Sequence, residues 1–273
     1  SHSIPLYGSR ITTYTDGRSK MEALLTEIAC AKHHIHIQYY ILNDDETGRR
    51  LRDALIAKAR EGVEVRILYD DVGSSGAKKS FFRSMRSEGI KVYAFLHVKF
   101  PLFTSKVNYR NHRKIVVIDG RVGFIGGMNI ADRYVRGTQW GTWRDTHFRI
   151  EGSGAAGLQA SFLSDWSATT KTHISGPDYY PPAGHFTDDI LQIAPSGPFG
   201  KWRALLQADS YAIARARQRI WIQTPYYLPS DVLNTALHEA ALAGIDVHLM
   251  LPARSDSKVV DLATHSYLDD MMK

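Results

Sequence analysis

Two stretches of the chain repeat one another. Ile35-His36-Ile37-Gln38-Tyr39-Tyr40 lies on Ile220-Trp221-Ile222-Gln223-Thr224-Pro225, and Ile28 lies on Ile213, each pair 185 positions apart by subtraction. The run from Gly62 to Leu68 lies on the run from Gly244 to Met250, offset by 182. Self-similarity of this kind predicts a duplicated fold. Within the first copy, Met21, Leu24, Leu25, Ile28 and Ala31 share one helical face. Thr47 to Arg60 and Lys78 to Ser87 read as two more helices, each closed by a Glu-Gly pair at 61–62 and 88–89. The segments 35–41, 63–69 and 90–95 alternate with them as strands. This rhythm predicts an α/β sandwich with a mainly parallel sheet. The breaker-rich stretch 175–184 reads as a linker, giving a first domain over 1–184 and a second over 185–273.

The first copy carries one segment of unusual chemistry. Ile115-Val116-Val117-Ile118 is a β-branched run preceded by His112 and Lys114, which a two-residue period sets on one face. Asp119-Gly120 is the signal of a type I′ hairpin, with 122–125 as the return strand. Gly126-Gly127 lets backbone approach a ligand, and Asn129 is placed to cap a helix beginning near 130. An imidazole, a neighbouring cation and a glycine turn at a helix start suit a phosphate group. In the motif region Asn111, Arg110, Gly126 and Gly127 are the expected substrate-binding residues.

Read together, His112-x-Lys114-x4-Asp119-x6-Gly126-Gly127-x-Asn129 resembles the signature of the phospholipase D superfamily. Val107 to Lys114, Trp143-Arg144-Asp145-Thr146-His147, Ile150-Glu151-Gly152, Tyr69 to Ser74, Pro195 to Pro198 and Thr224 to Pro229 resemble the bacterial cardiolipin synthases. The resemblance implies transfer of a phosphatidyl group from one phosphatidylglycerol to a motif histidine, then to the hydroxyl of a second, releasing glycerol. His112 is taken as that nucleophile, the general acid being its alternative role because the two motifs are related by pseudo-symmetry. Covalent catalysis divides one hard displacement into two easier ones. Lys114 and Asn129 would hold the phosphate oxygens, with no metal and no cofactor required. Asp119, which strand alternation turns away from His112, takes a turn-stabilising or site-organising role. Asp145 is the candidate to hold the second ring nitrogen of the histidine, although a surface ion pair with Arg144 or Arg149 is the alternative.

The family carries two such motifs. His112 follows Gly62 by 50 positions, and the same spacing after Gly244 falls near 294, past Lys273. The second copy is therefore expected to be incomplete, and its proton-transfer histidine to come from the rest of the same polypeptide or from a second chain. Alone, the chain is expected to be inactive or weakly active. Two other readings use the same residues: a phosphodiesterase or nuclease with water as acceptor, and a non-catalytic fragment that binds a lipid surface.

A net charge of +6 favours an anionic partner, for which phospholipid is preferred over nucleic acid. Val98 to Lys106 mixes aromatic residues with lysines and is the candidate contact with a membrane surface, a packed connector being the alternative. No apolar run reaches the roughly 18 residues of a membrane span, so the expected location is peripheral to, or soluble beside, the bacterial cytoplasmic membrane that the family implies. Cys30 has no partner for a disulfide. His33-His34-His36 and Asp70-Asp71 are possible metal ligands, but a satisfied sheet histidine and a capped loop are the simpler expectations.

Overall fold

A computed structural model describes residues 3–95, 111–197, 203–253 and 258–271. Arg110 and the Val98–Lys106 segment lie outside the described residues. The chain divides into two compact units, Ser1–Ile193 and Ala194–Lys273. The first begins with β1 (Leu6–Tyr7), β2 (Arg10–Asp16), α1 (Gly17–Cys30), β3 (His34–Tyr39), α2 (Glu46–Arg60), β4 (Glu64–Asp70), α3 (Lys79–Arg86) and β5 (Lys91–Phe95). It continues through β6 (Ile115–Ile118), β7 (Val122–Gly126), α4 (Asp132–Arg136), β8 (Arg144–Glu151), α5 (Ser153–Thr170) and β9 (Ile190–Leu191).

Seven strands form one sheet in the order β2-β8-β7-β6-β3-β4-β5. The α/β layering is as expected, but the expectation of a mainly parallel sheet needs correction. Only β3-β4 and β4-β5 are parallel, and the other four ladders are antiparallel. The reason is local. Crossover helices α2 and α3 allow parallel pairing, whereas the tight three-residue connection between Ile118 and Val122 forces β7 to run back along β6. Asp119 and Gly120 both have positive φ, 52° and 64°, as a type I′ turn requires.

The strand β3 is buried on both faces. Ile35, Ile37 and Tyr39 join an apolar core with Leu24 and Ile28 of α1, Leu51 and Leu55 of α2, and Phe81 and Phe82 of α3. The opposite face is covered by α5, where Leu158 meets Ile115 and Val117, and Phe162 meets Leu68. That face is partly polar, because His34, His36 and Gln38 alternate with the aliphatics. Gln159 of α5 meets the Nε2 of His34 at 3.2 Å and the Nδ1 of His36 at 3.0 Å. Burial holds the pKa of His34 down to about 4, so these rings are neutral near pH 7.

The first unit extends nine residues past 184, the expected boundary, because Leu6–Tyr7 pairs with Ile190–Leu191. The second unit comprises α6 (Ala204–Arg215), β10 (Arg219–Gln223), α7 (Asp231–Leu242), β11 (Asp246–Met250) and α8 (Lys258–Met271). Its turns repeat those of the first. Val63 N donates to Lys58 O at 3.0 Å and Ile245 N to Ala240 O at 3.0 Å, around Gly62 and Gly244 with φ of 91° and 83°. Ile35 pairs with Val65 in parallel, and Ile220 pairs with Val247 in the same way.

Candidate active site

The strand β6 begins at Ile115, so His112, Arg113 and Lys114 lead into it outside the strand ladders of the described residues. Side chains therefore fix this segment. Asn111, which is buried, donates through Nδ2 to Asp165 Oδ2 at 2.8 Å and accepts from Arg113 N at 3.1 Å. Arg113 Nη1 donates to the same carboxylate oxygen, as does Gln38 Nε2 at 2.7 Å.

His112 is exposed, whereas Lys114 is only 3% exposed. The ammonium of Lys114 lies 2.8 Å from His112 Nδ1 and 2.6 Å from its backbone oxygen. The Tyr40 ring flanks both groups, 4.6 Å from the imidazole and 5.5 Å from the ammonium. Partial desolvation and then the Lys114 charge hold His112 below its ordinary pKa, with Asp70 acting in the opposite direction. Desolvation likewise lowers Lys114 to about 8, partly offset by Asp145.

Asp145 sits where the glycine turn is tightest. A Cβ on Gly127 would lie 2.1 Å from its Oδ1, and one on Gly126 would lie 2.5 Å from the backbone of Thr146 and His147. The two glycines thus make room for the start of β8 and its carboxylate. Asp145 Oδ1 accepts from Thr146 N at 2.6 Å, and among the described residues no hydrogen bond joins it to His112. In this geometry the second ring nitrogen of His112 faces Lys114.

The other expected residues lie elsewhere or hold other partners. Asp119 is at the far end of β6 from His112, and its carboxylate accepts from the backbone N–H groups of Lys32, His33 and His34 at 2.7, 2.7 and 2.9 Å. Asn129 is buried and uses both polar atoms of its carboxamide internally, accepting from Ile41 N at 3.0 Å and donating to Tyr134 Oη at 2.7 Å. It does not cap α4, whose first turn follows Ala131. Asp70 accepts from Val72 N and Gly73 N at 2.9 and 3.0 Å, which is loop capping.

Sequence reasoning passed over Tyr40, Asp165, Lys20 and His147. Lys20 and His147 are fully buried behind the motif. Lys20 Nζ donates to Tyr39 Oη at 3.0 Å, and among the described residues both ring nitrogens of His147 lack a hydrogen-bond partner. Desolvation, then the charges of Lys20 and Lys114, keep His147 neutral. The signals existed: Lys20 falls four before Leu24 on the apolar stripe of α1, and Asp165 falls three after Phe162 on that of α5.

Known proteins match this arrangement. A family described as cardiolipin synthase, PLD-like domain, matches residues 24–166. The major cardiolipin synthase ClsA of Bacillus subtilis is 41% identical over 276 residues, covering 100% of this chain and 57% of its own length. Cardiolipin synthase 2 of Bacillus cereus is 43% identical over 263 residues, covering 95% of this chain and 51% of its own. The chain thus spans about half the length of these curated relatives. A solved structure of phosphatidylserine synthase from Haemophilus influenzae Rd KW20 superposes with a TM-score of 0.72 at 14% identity, covering 98% of this chain and 70% of that one, which shows a shared fold. With more than half of its residues, motif included, matched to that family, the chain belongs to the PLD-like cardiolipin synthases.

Proposed function

We propose that the chain supplies the His112 half of a phosphatidyltransferase that converts two phosphatidylglycerol molecules into cardiolipin and glycerol. The observation that carries this reading is an exposed imidazole held 2.8 Å from a buried ammonium at the glycine turn. The Lys114 ammonium, donating to Nδ1, keeps the ring neutral and its proton on Nε2. A phosphodiester oxygen competes for that ammonium, and its capture frees Nδ1. Asp145, which acts on the Lys114 charge from beside Gly127, is the carboxylate suited to take the Nδ1 proton's hydrogen bond. Solvent, which reaches the exposed ring, delivers a proton to Nδ1 and removes the one on Nε2, and the Nε2 lone pair then attacks phosphorus. A P–N bond forms, the P–O bond to the departing glycerol breaks, and that alkoxide needs a proton from a second acid. The second group, now a base, takes the proton of the second lipid's primary hydroxyl as that oxygen attacks phosphorus and breaks the P–N bond, returning the electron pair to His112.

The second acid is assigned to the second motif, from the same polypeptide or from another copy. The recurrence of the Gly62 turn at Gly244, with the same strand register, supports reading the second unit as a repeat of the first. Asp119 and Asn129 act as organisers, the one anchoring residues 32–34 and the other joining Ile41 to Tyr134. No described helix is long and apolar enough to cross a membrane, so the lipid is taken to be met at a surface.

The test is transfer by the full natural reading frame in phosphatidylglycerol vesicles, with acid-quenched trapping of labelled phosphatidyl on histidine. His112→Ala is expected to abolish cardiolipin formation and labelling. Unchanged cardiolipin formation in that variant refutes the assignment, and phosphatidic acid as the product would assign water as acceptor.

A further inference from the structure

A carboxylate on the inward face of a helix is costly unless charge and hydrogen bonds satisfy it. Asp165, on α5 and with its side chain 12% exposed, is satisfied by three donors that all converge on Oδ2: Gln38 Nε2, Asn111 Nδ2 and Arg113 Nη1. Two of the three belong to the residues immediately before and after His112. Arg113 N closes the arrangement onto Asn111 Oδ1 at 3.1 Å. The backbone of His112 is thus bracketed by two side chains that end on one oxygen, at a place where the ladder of β6 has not yet begun. Gln38 and Gln159 already tie α5 to β3, so the other two donors do more than attach a helix.

We infer that Asp165 is a positioning residue for His112, fixing through Asn111 and Arg113 the backbone from which the imidazole projects. It touches no reacting atom. The inference rests on the reading of His112 as the group that meets phosphorus. It also explains why the ring stays against Tyr40 and Lys114 although it is exposed: its Cα is held from behind. A reacting group displaced by about 1 Å loses on the order of 10²-fold in rate.

Two variants test it, Asp165→Asn, which keeps shape but removes charge, and Arg113→Met, which removes one tether from a partly exposed side chain. In the full-length enzyme both are expected to lower kcat for phosphatidyl transfer roughly 10- to 100-fold, with KM for phosphatidylglycerol vesicles within about threefold. In the chain described here, ¹⁵N spectra of the His112 ring are expected to shift and broaden while the melting profile stays cooperative. A purely structural role predicts a lower melting temperature with wild-type ring signals and kcat. Folded variants with that behaviour overturn the proposal, and if Asp165→Asn does not fold, Arg113→Met decides alone. The ring spectra need no turnover, so a wild-type enzyme that makes no cardiolipin sinks the proposed function without touching this result.

Discussion

His112 and Lys114 place opposite demands on pH. The proposed attack needs a neutral imidazole, and burial with the Lys114 charge holds that pKa below the ordinary 6.5. Stabilising charge on the phosphorane needs an ammonium, and desolvation brings Lys114 down to about 8. A bell-shaped profile of kcat/KM follows. Its acid limb lies below 6.5, where His112 gains a proton, and its alkaline limb near 8, where Lys114 loses one. Lys114→Arg is expected to remove the alkaline limb, because guanidinium stays charged, while lowering the rate through its larger, forked head. An alkaline limb that persists near 8 in that variant assigns it to another group. Transfer assays across pH 5 to 10 decide.

Between α1 and β3 the same physics acts on stability instead of turnover. Lys20 is fully buried, it donates to Tyr39 Oη at 3.0 Å, and desolvation lowers its pKa from 10.5 to about 7. The unfolded chain therefore binds more protons than the folded one between pH 7 and 10.5, and unfolding free energy rises with pH across that window. Tyr39, whose pKa burial raises, reverses the slope above pH 10. Replacing both partners by apolar groups, Lys20→Met with Tyr39→Phe, removes the donor and its acceptor together. It is expected to stabilise the first unit by roughly 2–4 kcal/mol at pH 7 and to flatten the slope from 7 to 10. Urea midpoints at pH 7 and 9.5 check this, and equal midpoint shifts at both values would sink it. This buried pair also marks where the sequence stopped being legible. The elements were readable because their periods and Glu-Gly stops are local, and the motif was readable because its spacing is. Strand direction was not, since it depends on which connections cross the sheet. Nor was the traffic of hydrogen bonds between α5 and β3: Gln38, Asn111, Arg113 and Asp165 lie up to 127 residues apart and meet only once the helix docks. The signature places Asn129 near phosphate, but it does not carry the amide's two partners, Ile41 N and Tyr134 Oη, which come from separate elements.

The two units differ in how much apolar surface they hold against water. The first builds a seven-stranded sheet covered on both faces, with an apolar cluster of more than twenty buried residues on one side alone. In the second, the described residues give a two-stranded sheet and a cluster whose buried members are Ile213, Tyr227, Leu237 and Ala240. One face of that sheet stays open, with Trp221 62% and Met250 63% exposed. A two-stranded sheet is marginal by itself, and each large side chain left in water forgoes about 1.5–3 kcal/mol of transfer free energy. The local turns of the second unit nevertheless copy those of the first down to the Gly244 hydrogen bonds, so the difference lies in packing rather than in local structure. Protection against hydrogen exchange should follow packing. Amides of β3, β4 and β6 are expected to exchange only through global opening of their unit, whereas those of β10 and β11 exchange at least 10²-fold faster, equivalent to about 2.7 kcal/mol. Mass-spectrometric exchange of peptides spanning 34–39, 64–70 and 219–223 makes the comparison on one sample. Equal protection of Ile220 and Ile35 would show that the open face of β10 is covered in solution, and would move the stability of the second unit from its own small core to whatever covers it.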